Sequence, residues 1–205
     1  MPLFGKFKTF YSMSDKIAPV LPGAMMIDRV LGEIQRGLIA GLPWLDACYG
    51  RAQRLVRNIE GRRVIYPAVY AGAGNDYMNV EPDGHKGNFG FFIADDPEGV
   101  DWTPGGFNQF SAPVSLVVWF DLRRVFGEGE NRNTELLKSQ VLGILNGRTG
   151  WHLATGERLT INRVYEQAGN IYRGFSLDEV DNQFLMHPFG GFRFEGTLTF
   201  NEPCV

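Results

Sequence analysis

Three histidines and a few loop carboxylates are the residues of this sequence that could do acid–base or metal chemistry. The histidines are His85, His152 and His187. Metal signatures place histidine at short, fixed spacings from cysteine, aspartate or glutamate, and none of the three has such a spacing. We therefore predict no metal centre and no bound cofactor. A small hydrolase or transferase, with a site assembled in space from these histidines and loop carboxylates, stays open as the enzymatic alternative.

The other residues with chemical potential have simpler explanations. The carboxylates Asp76 and 95–96 stand beside asparagine, glycine or proline, where turn formation accounts for them. The segment 72–75 (GAGN) lacks the Lys-Ser/Thr end of a phosphate-binding loop, and the chain contains no G-x-S-x-G nucleophile elbow. Cys48 falls on the apolar side of a predicted helix, which is typical of a small buried hydrophobe. The sequence therefore favours a protein that is not an enzyme.

The composition narrows the classes of partner. The chain has 205 residues, of which 44% are hydrophobic and 21% charged, with a formal net charge of −3. Nucleic-acid-binding proteins usually carry a basic excess, so we expect no direct sequence-specific binding of nucleic acid. No apolar run approaches the roughly 18 residues of a membrane span, so we expect no membrane association.

The stretch 110–124 (FSAPVSLVVWFDLRR) predicts a long strand around which the domain is organised. Alternate residues place an apolar face in a core. These residues are Phe110, Ala112, Val114, Leu116, Val118, Phe120 and Leu122. A strand this long and apolar requires partners on both sides and would be central. Pro113, which has no amide hydrogen to donate, indicates an edge or the beginning of a strand.

The remaining periodicities predict the order α-α-β-β-β-β-α-β-β-β. Helices are predicted at 26–40, 43–57 and 134–146, the last with Asn133 as its N-cap. Besides the central strand, strands are predicted at 63–70, 77–80, 89–94, 158–165, 171–175 and 192–201. The segments 71–87 and 95–109 are predicted to be mainly loop. Pro67, inside the first strand, indicates an edge or a bulge.

These elements predict one α+β domain over residues 25–205, in which helices pack on one face of a mostly antiparallel sheet. Residues 1–24 mix lysine, phenylalanine, proline and serine without a period. They are predicted to form a flexible N-terminal arm that orders against a partner.

Five arginines are the candidate partner-binding residues. Arg51, Arg54 and Arg57 recur at a spacing of three on the outer side of the predicted second helix, and Arg123 and Arg124 end the central strand. Such residues are usually solvated surface; the functional interpretation is a docking patch for an acidic partner protein.

Four tryptophans support a different class of function. Trp44, Trp102, Trp119 and Trp151 could stack on sugar rings, although packing is the simpler role for each. The alternative is a small-molecule or carbohydrate-binding domain that uses Trp102, Trp151 and the loop around Tyr77.

The order of elements resembles the tail terminator (tail completion) proteins of long-tailed bacteriophages and prophages. The elements concerned are a first helix, a strand around an x-Pro-x segment (64–70), a long central strand (114–122), a helix that crosses the sheet (134–145) and a closing strand (193–200) after the connection 181–188. The similarity covers residues 26–201 and lies in the order of the elements, so no functional residue of that family maps to a position here.

The resemblance implies a virion structural protein, assembled in the bacterial cytoplasm. Proteins of this family form a homo-oligomeric ring, typically six-fold, that caps the finished tail tube. One surface of the ring pairs with the last ring of the tail tube protein and stops polymerisation, and another meets the head–tail connector. Surface loops and charged residues would make these contacts, with the five arginines and the loop 71–87 as candidates.

Overall fold

The structure is a computed structural model that describes residues 16–72, 77–103, 107–127, 132–146 and 157–203. These residues form an α+β domain that is mostly sheet, as predicted. Its helices are α1 (Met26–Gly41), α2 (Leu122–Phe126), α3 (Thr134–Leu145) and α4 (Ala168–Ile171), with a 3₁₀ helix at Asn182–Leu185. Its strands are β1 (Ala47–Arg51), β2 (Gln53–Ile59), β3 (Arg62–Tyr70), β4 (Tyr77–Asn79), β5 (Phe89–Ala94), β6 (Gly99–Thr103), β7 (Phe107–Asp121), β8 (Arg158–Tyr165) and β9 (Phe189–Pro203).

The strands form two sheets. The larger sheet has the order β1-β5-β7-β9-β8, and β6 also pairs with β7. Only the β1–β5 pair in this sheet is parallel. The smaller sheet is antiparallel, in the order β2-β3-β4. Because β7 pairs with β9 along its whole length and with β5 and β6 on its other side, it is the central strand, as the sequence predicts.

Side chains from the two faces of the larger sheet enter two separate cores. On the first face, called the helix face, α1 and α3 cover the alternating apolar residues of β7 and β9, including Leu116, Phe120 and Phe194. On the opposite face, called the second face, Val117 and Trp119 of β7 pack with residues from β1, β3, β5 and α4. The predicted apolar face of the central strand is thus confirmed, and its other face is partly buried as well.

Pro113 does not begin the central strand but lies in its middle. On the side of β7 that faces β5 and β6, pairing with β5 stops at Val114 and pairing with β6 starts at Ser111. The only backbone contact between them is the amide of Asp95, which donates to the Pro113 carbonyl at 3.0 Å. A residue without an amide hydrogen therefore fits this gap between two short neighbours. Pro67 lies in a similar gap. It belongs to β3, the middle strand of the small sheet, but the pairing of β3 with β4 covers only residues 68–70, so Pro67 has no paired residue of β4 beside it.

The helix predicted at 43–57 is wrong: this segment forms β1 and β2. Ala47, Cys48 and Tyr49 are all buried because β1 is covered on both faces, so no period of two appears in the sequence. Most of β2 is exposed, so its apolar residues need not alternate. Leu55 and Val56 therefore fall at positions that match the apolar stripe of a helix. Cys48 is nevertheless a buried hydrophobe, as predicted, and burial raises the pKa of its thiol far above the ordinary value.

Two further predictions fail locally. The strand predicted at 171–175 is the end of α4 and a turn, in which Ile171 and Tyr172 enter the core of the second face and Gly174 has a φ of +93°. The loop predicted at 95–109 contains β6, which is exposed and has only β7 as a neighbour. The helices α1 and α3, the strands β3, β4, β5 and β8, and the closing strand are confirmed to within a few residues at each end.

The described part of the N-terminal arm, residues 16–24, lies against the domain. Ile17 pairs with Ala47 at the outer edge of β1, and the Lys16 ammonium donates to the carbonyls of Ile39 and Leu42 at the end of α1. The carbonyl of Pro19 accepts a hydrogen bond from the buried Gln35 side chain. Residues 1–15 lie outside the described residues, so the prediction of flexibility is not tested there.

Candidate functional site

Arg51, Arg54 and Arg57 do not form one patch, because they lie on strands rather than on a helix face. Residues three apart on a strand point to opposite faces, which separates Arg54 from Arg57. Arg51 pairs with Asp28 at 3.0 Å, Arg54 with Asp95 at 2.5 Å, and Arg57 with Glu81 and Glu179. Each guanidinium thus already has a carboxylate of its own chain. A role at an interface stays a prediction for all three.

Arg123 and Arg124 lie on α2 at the end of the central strand, and both contact their own chain. Arg123 pairs with Asp121 at 2.8 Å and lies over the Phe189 ring. Arg124 is 3.7 Å from Asp46. The side chain of Asp121 caps α2 by accepting from the Arg123 amide. Arg123 therefore joins the end of β7 to the start of β9, and Arg124 joins α2 to the residue before β1; an external role for the two arginines stays a prediction.

The residues of the two alternative functions are dispersed. His85 lies in a turn where its amide donates to Asp83, and His187 lies two residues before β9. His152 and Trp151 lie outside the described residues. Within the described residues, no three of histidine, cysteine, aspartate and glutamate are grouped so that they could hold a metal ion. Trp119 is buried and Trp44 packs against the helix-face core, whereas Trp102 is 69% exposed.

The exposed side of β6 is the first notable surface, and we call it the β6 edge. β6 pairs with β7 only, so the backbone groups that face away from β7 have no strand partner among the described residues. Val100 and Trp102 are 58% and 69% exposed. They lie opposite Phe110 and Asn108 of β7, and hence on the helix face of the sheet. An exposed edge strand with large apolar side chains is a template for pairing with another strand.

The outer side of β8 is the second notable surface, called the β8 edge. β8 pairs with β9, and no other described strand pairs with it. Leu159, Ile161 and Val164 pack toward the helix-face core. Arg158 and Arg163 lie opposite Thr199 and Glu195 of β9, on the second face, and both are exposed.

The two edges are complementary on both faces. On the helix face, β6 carries the exposed Val100 and Trp102, and β8 carries the half-buried Ile161 beside Leu159, which is already buried in its own core. On the second face, Asp101 of β6 is exposed, and Asp96 and Glu98 precede that strand, whereas β8 presents Arg158 and Arg163. No ion pair joins any of these five charged residues to another described residue.

The strand directions are also compatible. The order β6-β7-β9-β8 is antiparallel at every step, so β6 and β8 run in opposite directions. A second copy placed beside the first in the same orientation would bring its β6 antiparallel to β8 of the first copy. The contact would be head-to-tail, since it joins two different surfaces, and such contacts close into rings when the rotation between neighbours allows.

The sequence does not predict the β6 edge, because the composition of 95–109 indicates a loop. Its signal was weak: Val100 and Trp102 are the only apolar residues of the strand, and they alternate with Gly99 and Asp101. An exposed edge strand buries too little to require a longer pattern. β8 itself was predicted, but a strand of mixed polarity does not show from sequence which of its sides is free.

Comparisons with known proteins give no family. A scan of the sequence against models of known protein families finds no match, and a comparison with curated protein sequences finds none either. Within the described residues, no helix is long and apolar enough to cross a membrane.

Proposed function

We propose that this protein is a non-catalytic structural protein of a phage or prophage virion, a tail terminator that forms a ring. The ring caps the tail tube and joins it to the head connector. The observation that carries the proposal is the pair of complementary sheet edges on β6 and β8. They provide a repeating head-to-tail contact, which is the type of contact that builds a ring from identical chains.

The fold supports this function by analogy. The chain has a first helix, a strand with a central proline, a long central strand, a helix packed on its sheet and a closing strand, in the order that the resemblance requires. Fold analogy alone does not assign function, because one fold serves many functions. The edge chemistry is independent support, since it concerns exposed residues that the fold does not require.

The joined edges would gain stability from two sources. Burial of Val100 and Trp102 would contribute about 25 cal/mol per Å² of apolar surface, and the backbone groups of β6 and β8 would complete each other's hydrogen bonds. Opposite charges on the second face would speed association and fix the register.

The first experiment measures assembly of the full chain. Native mass spectrometry and negative-stain electron microscopy should find closed rings of one defined copy number. With the tail tube protein encoded in the same genome, the rings should sit at tube ends and limit tube length. A chain that stays monomeric at high concentration and leaves tube growth unchanged would contradict the proposal.

A variant tests the contact itself. Trp102→Asp should abolish the rings, because it places a charge where a buried apolar contact is expected, and it should leave the monomer folded, because Trp102 is exposed. Arg36→Asp is the matched control: Arg36 is an exposed residue of α1, away from both edges, and its replacement should leave the rings intact. Rings that persist in Trp102→Asp would show that another surface builds them.

A further inference from the structure

A cavity on the second face has two arginines in its wall and two more close behind it. It has a volume of about 280 Å³ and lies across β7, β9 and β8. Arg163, Arg173, Glu195 and Asp95 contribute charged side chains to its wall, and Ser115 and Asn162 contribute polar ones. Two more arginines, Arg54 and Arg193, contact the carboxylates of this wall.

The carboxylates of this cluster are shared between arginines. Glu195 pairs with both Arg173 and Arg193, and Asp95 pairs with Arg54 at 2.5 Å while lying 3.7 Å from Arg193. Arg163 pairs with no carboxylate among the described residues. Four guanidiniums are therefore balanced by two carboxylates within this cluster, which leaves a formal excess of positive charge beside an open cavity.

The excess of positive charge is most unfavourable for Arg193, because this residue is buried. Its side chain is only 2% exposed, and one of its terminal nitrogens donates to the Arg173 carbonyl at 3.1 Å. Its Nε lies 2.8 Å from Glu195, a carboxylate that it shares with Arg173. Burial and the nearby Arg173 lower the pKa of Arg193, while Glu195 and Asp95 oppose them. A buried cation that shares its counter-ions is stabilised by any further anion nearby.

We propose that this cavity is a binding site for an oxyanion, a carboxylate or phosphate group, held by Arg163 and Arg173 at the wall with Arg193 behind them. The planar guanidinium group donates two parallel hydrogen bonds to such an anion, which makes arginine the preferred residue for carboxylate and phosphate recognition. The cavity is larger than the anionic group alone, so the group belongs to a larger molecule. Every residue of the site comes from one chain, but Arg163 also lies on the β8 edge, where a neighbouring copy in the proposed ring would compete for it; the titrations are therefore also run in the Trp102→Asp background, in which no ring is expected.

Binding is measured by isothermal titration calorimetry on the full chain with inorganic phosphate and, in a parallel titration, with succinate. Sodium chloride at equal ionic strength is the control for non-specific screening. One of the two anions should bind and sodium chloride should not. The stronger of the two identifies the chemistry as phosphate or carboxylate.

Four variants, one of them a control, make the test specific. Arg163→Gln and Arg173→Gln should each weaken binding about tenfold, the loss of one charge-assisted pair. Arg158→Gln, on the same strand but outside the cavity wall, should leave binding unchanged. Glu195→Gln should tighten binding several-fold, because it removes a competing carboxylate and keeps the shape of the side chain. A misfolded variant cannot produce that gain.

Absence of binding for both anions in the unmodified protein would overturn the proposal. So would equal binding in the Arg163→Gln, Arg173→Gln and unmodified proteins. Tighter binding in Glu195→Gln together with weaker binding in the two arginine variants would establish the site.

Discussion

Individual charged residues of this protein act mainly within the chain. Arg29 on α1 contacts both Glu157 and Glu202, which joins the first helix to residues next to β8 and at the end of β9. Arg57 lies over the Tyr66 ring and pairs with two carboxylates. A charged residue that already has partners offers less to another protein. The spacing of arginines in the sequence does not show whether each of them already has such a partner.

Asp121 provides a residue-scale prediction about pH. Burial works to raise its pKa, but hydrogen bonds from Arg123 and the charges of Arg123 and Arg124 outweigh it, so the pKa of Asp121 lies below its ordinary value. A carboxyl with a depressed pKa in the folded state stabilises the protein above its unfolded pKa, about 3.9, and this contribution is lost as the pH falls through the folded value.

Asp121→Asn should therefore lower the free energy of unfolding at pH 7 by about 1 kcal/mol, because the amide keeps the cap but loses the ion pair. The difference between the two proteins should shrink as the pH falls below about 4. Urea unfolding at pH 7, 4 and 3 measures this difference in the free energy of unfolding, with the exposed Asp178→Asn as the control. A difference that stays constant down to pH 3 would exclude this role.

At the scale of elements, the contact between β8 and β9 depends on a glycine. A Cβ on Gly196 would lie 2.1 Å from the carbonyl oxygen of Thr160, a backbone atom that a rotamer change cannot move. This close approach is where the register of β8 shifts between Ile161 and Arg163.

Gly196→Ala should destabilise the protein by at least about 2 kcal/mol, since the strands must separate to admit the methyl group. Gly143→Ala in α3 is the matched control. Its Cβ would meet nothing within 4 Å, and alanine in a helix should stabilise by about 0.5–1 kcal/mol. Thermal unfolding of the two variants should thus shift in opposite directions, and a shift in the same direction would contradict the argument.

The elements that could be predicted from sequence are those with one buried face and one polar face, or with a clear cap. α3 has Asn133, whose side chain accepts from the Leu136 amide, and β9 alternates Phe192 and Phe194 with polar residues. β1, buried on both faces, and β6, exposed on both, have no such contrast. The pairing of edges could not be predicted, because strand order depends on contacts between distant segments.

At the scale of the whole molecule, the proposed ring has a property that distinguishes it from a symmetric dimer. Its contact joins the β6 edge of one copy to the β8 edge of the next, so a chain with one damaged edge retains the other. Two variants damaged at different edges should therefore combine with each other.

A mixing experiment uses Trp102→Asp, which damages the β6 edge, and Arg158→Asp, which damages the β8 edge. Each alone should fail to form rings. The Trp102→Asp chain keeps an intact β8 edge and the Arg158→Asp chain an intact β6 edge, so an equimolar mixture should contain pairs with one copy of each. Native mass spectrometry with one isotopically labelled variant measures this. A mixture without mixed pairs would show that the contact joins identical surfaces.

The pairing of β7 with β9 also has a consequence during synthesis. β7 is apolar along its helix face and carries Val117 and Trp119 on the other face, and its full-length partner β9 follows only after α3, β8 and α4 have been made. At about 5–20 residues per second, the ribosome needs several seconds to produce that partner after β7 has emerged. Throughout this interval β7 lacks its longest partner strand. The production of this protein in cells should therefore depend on chaperones that bind nascent chains, even though the finished domain buries most of that strand.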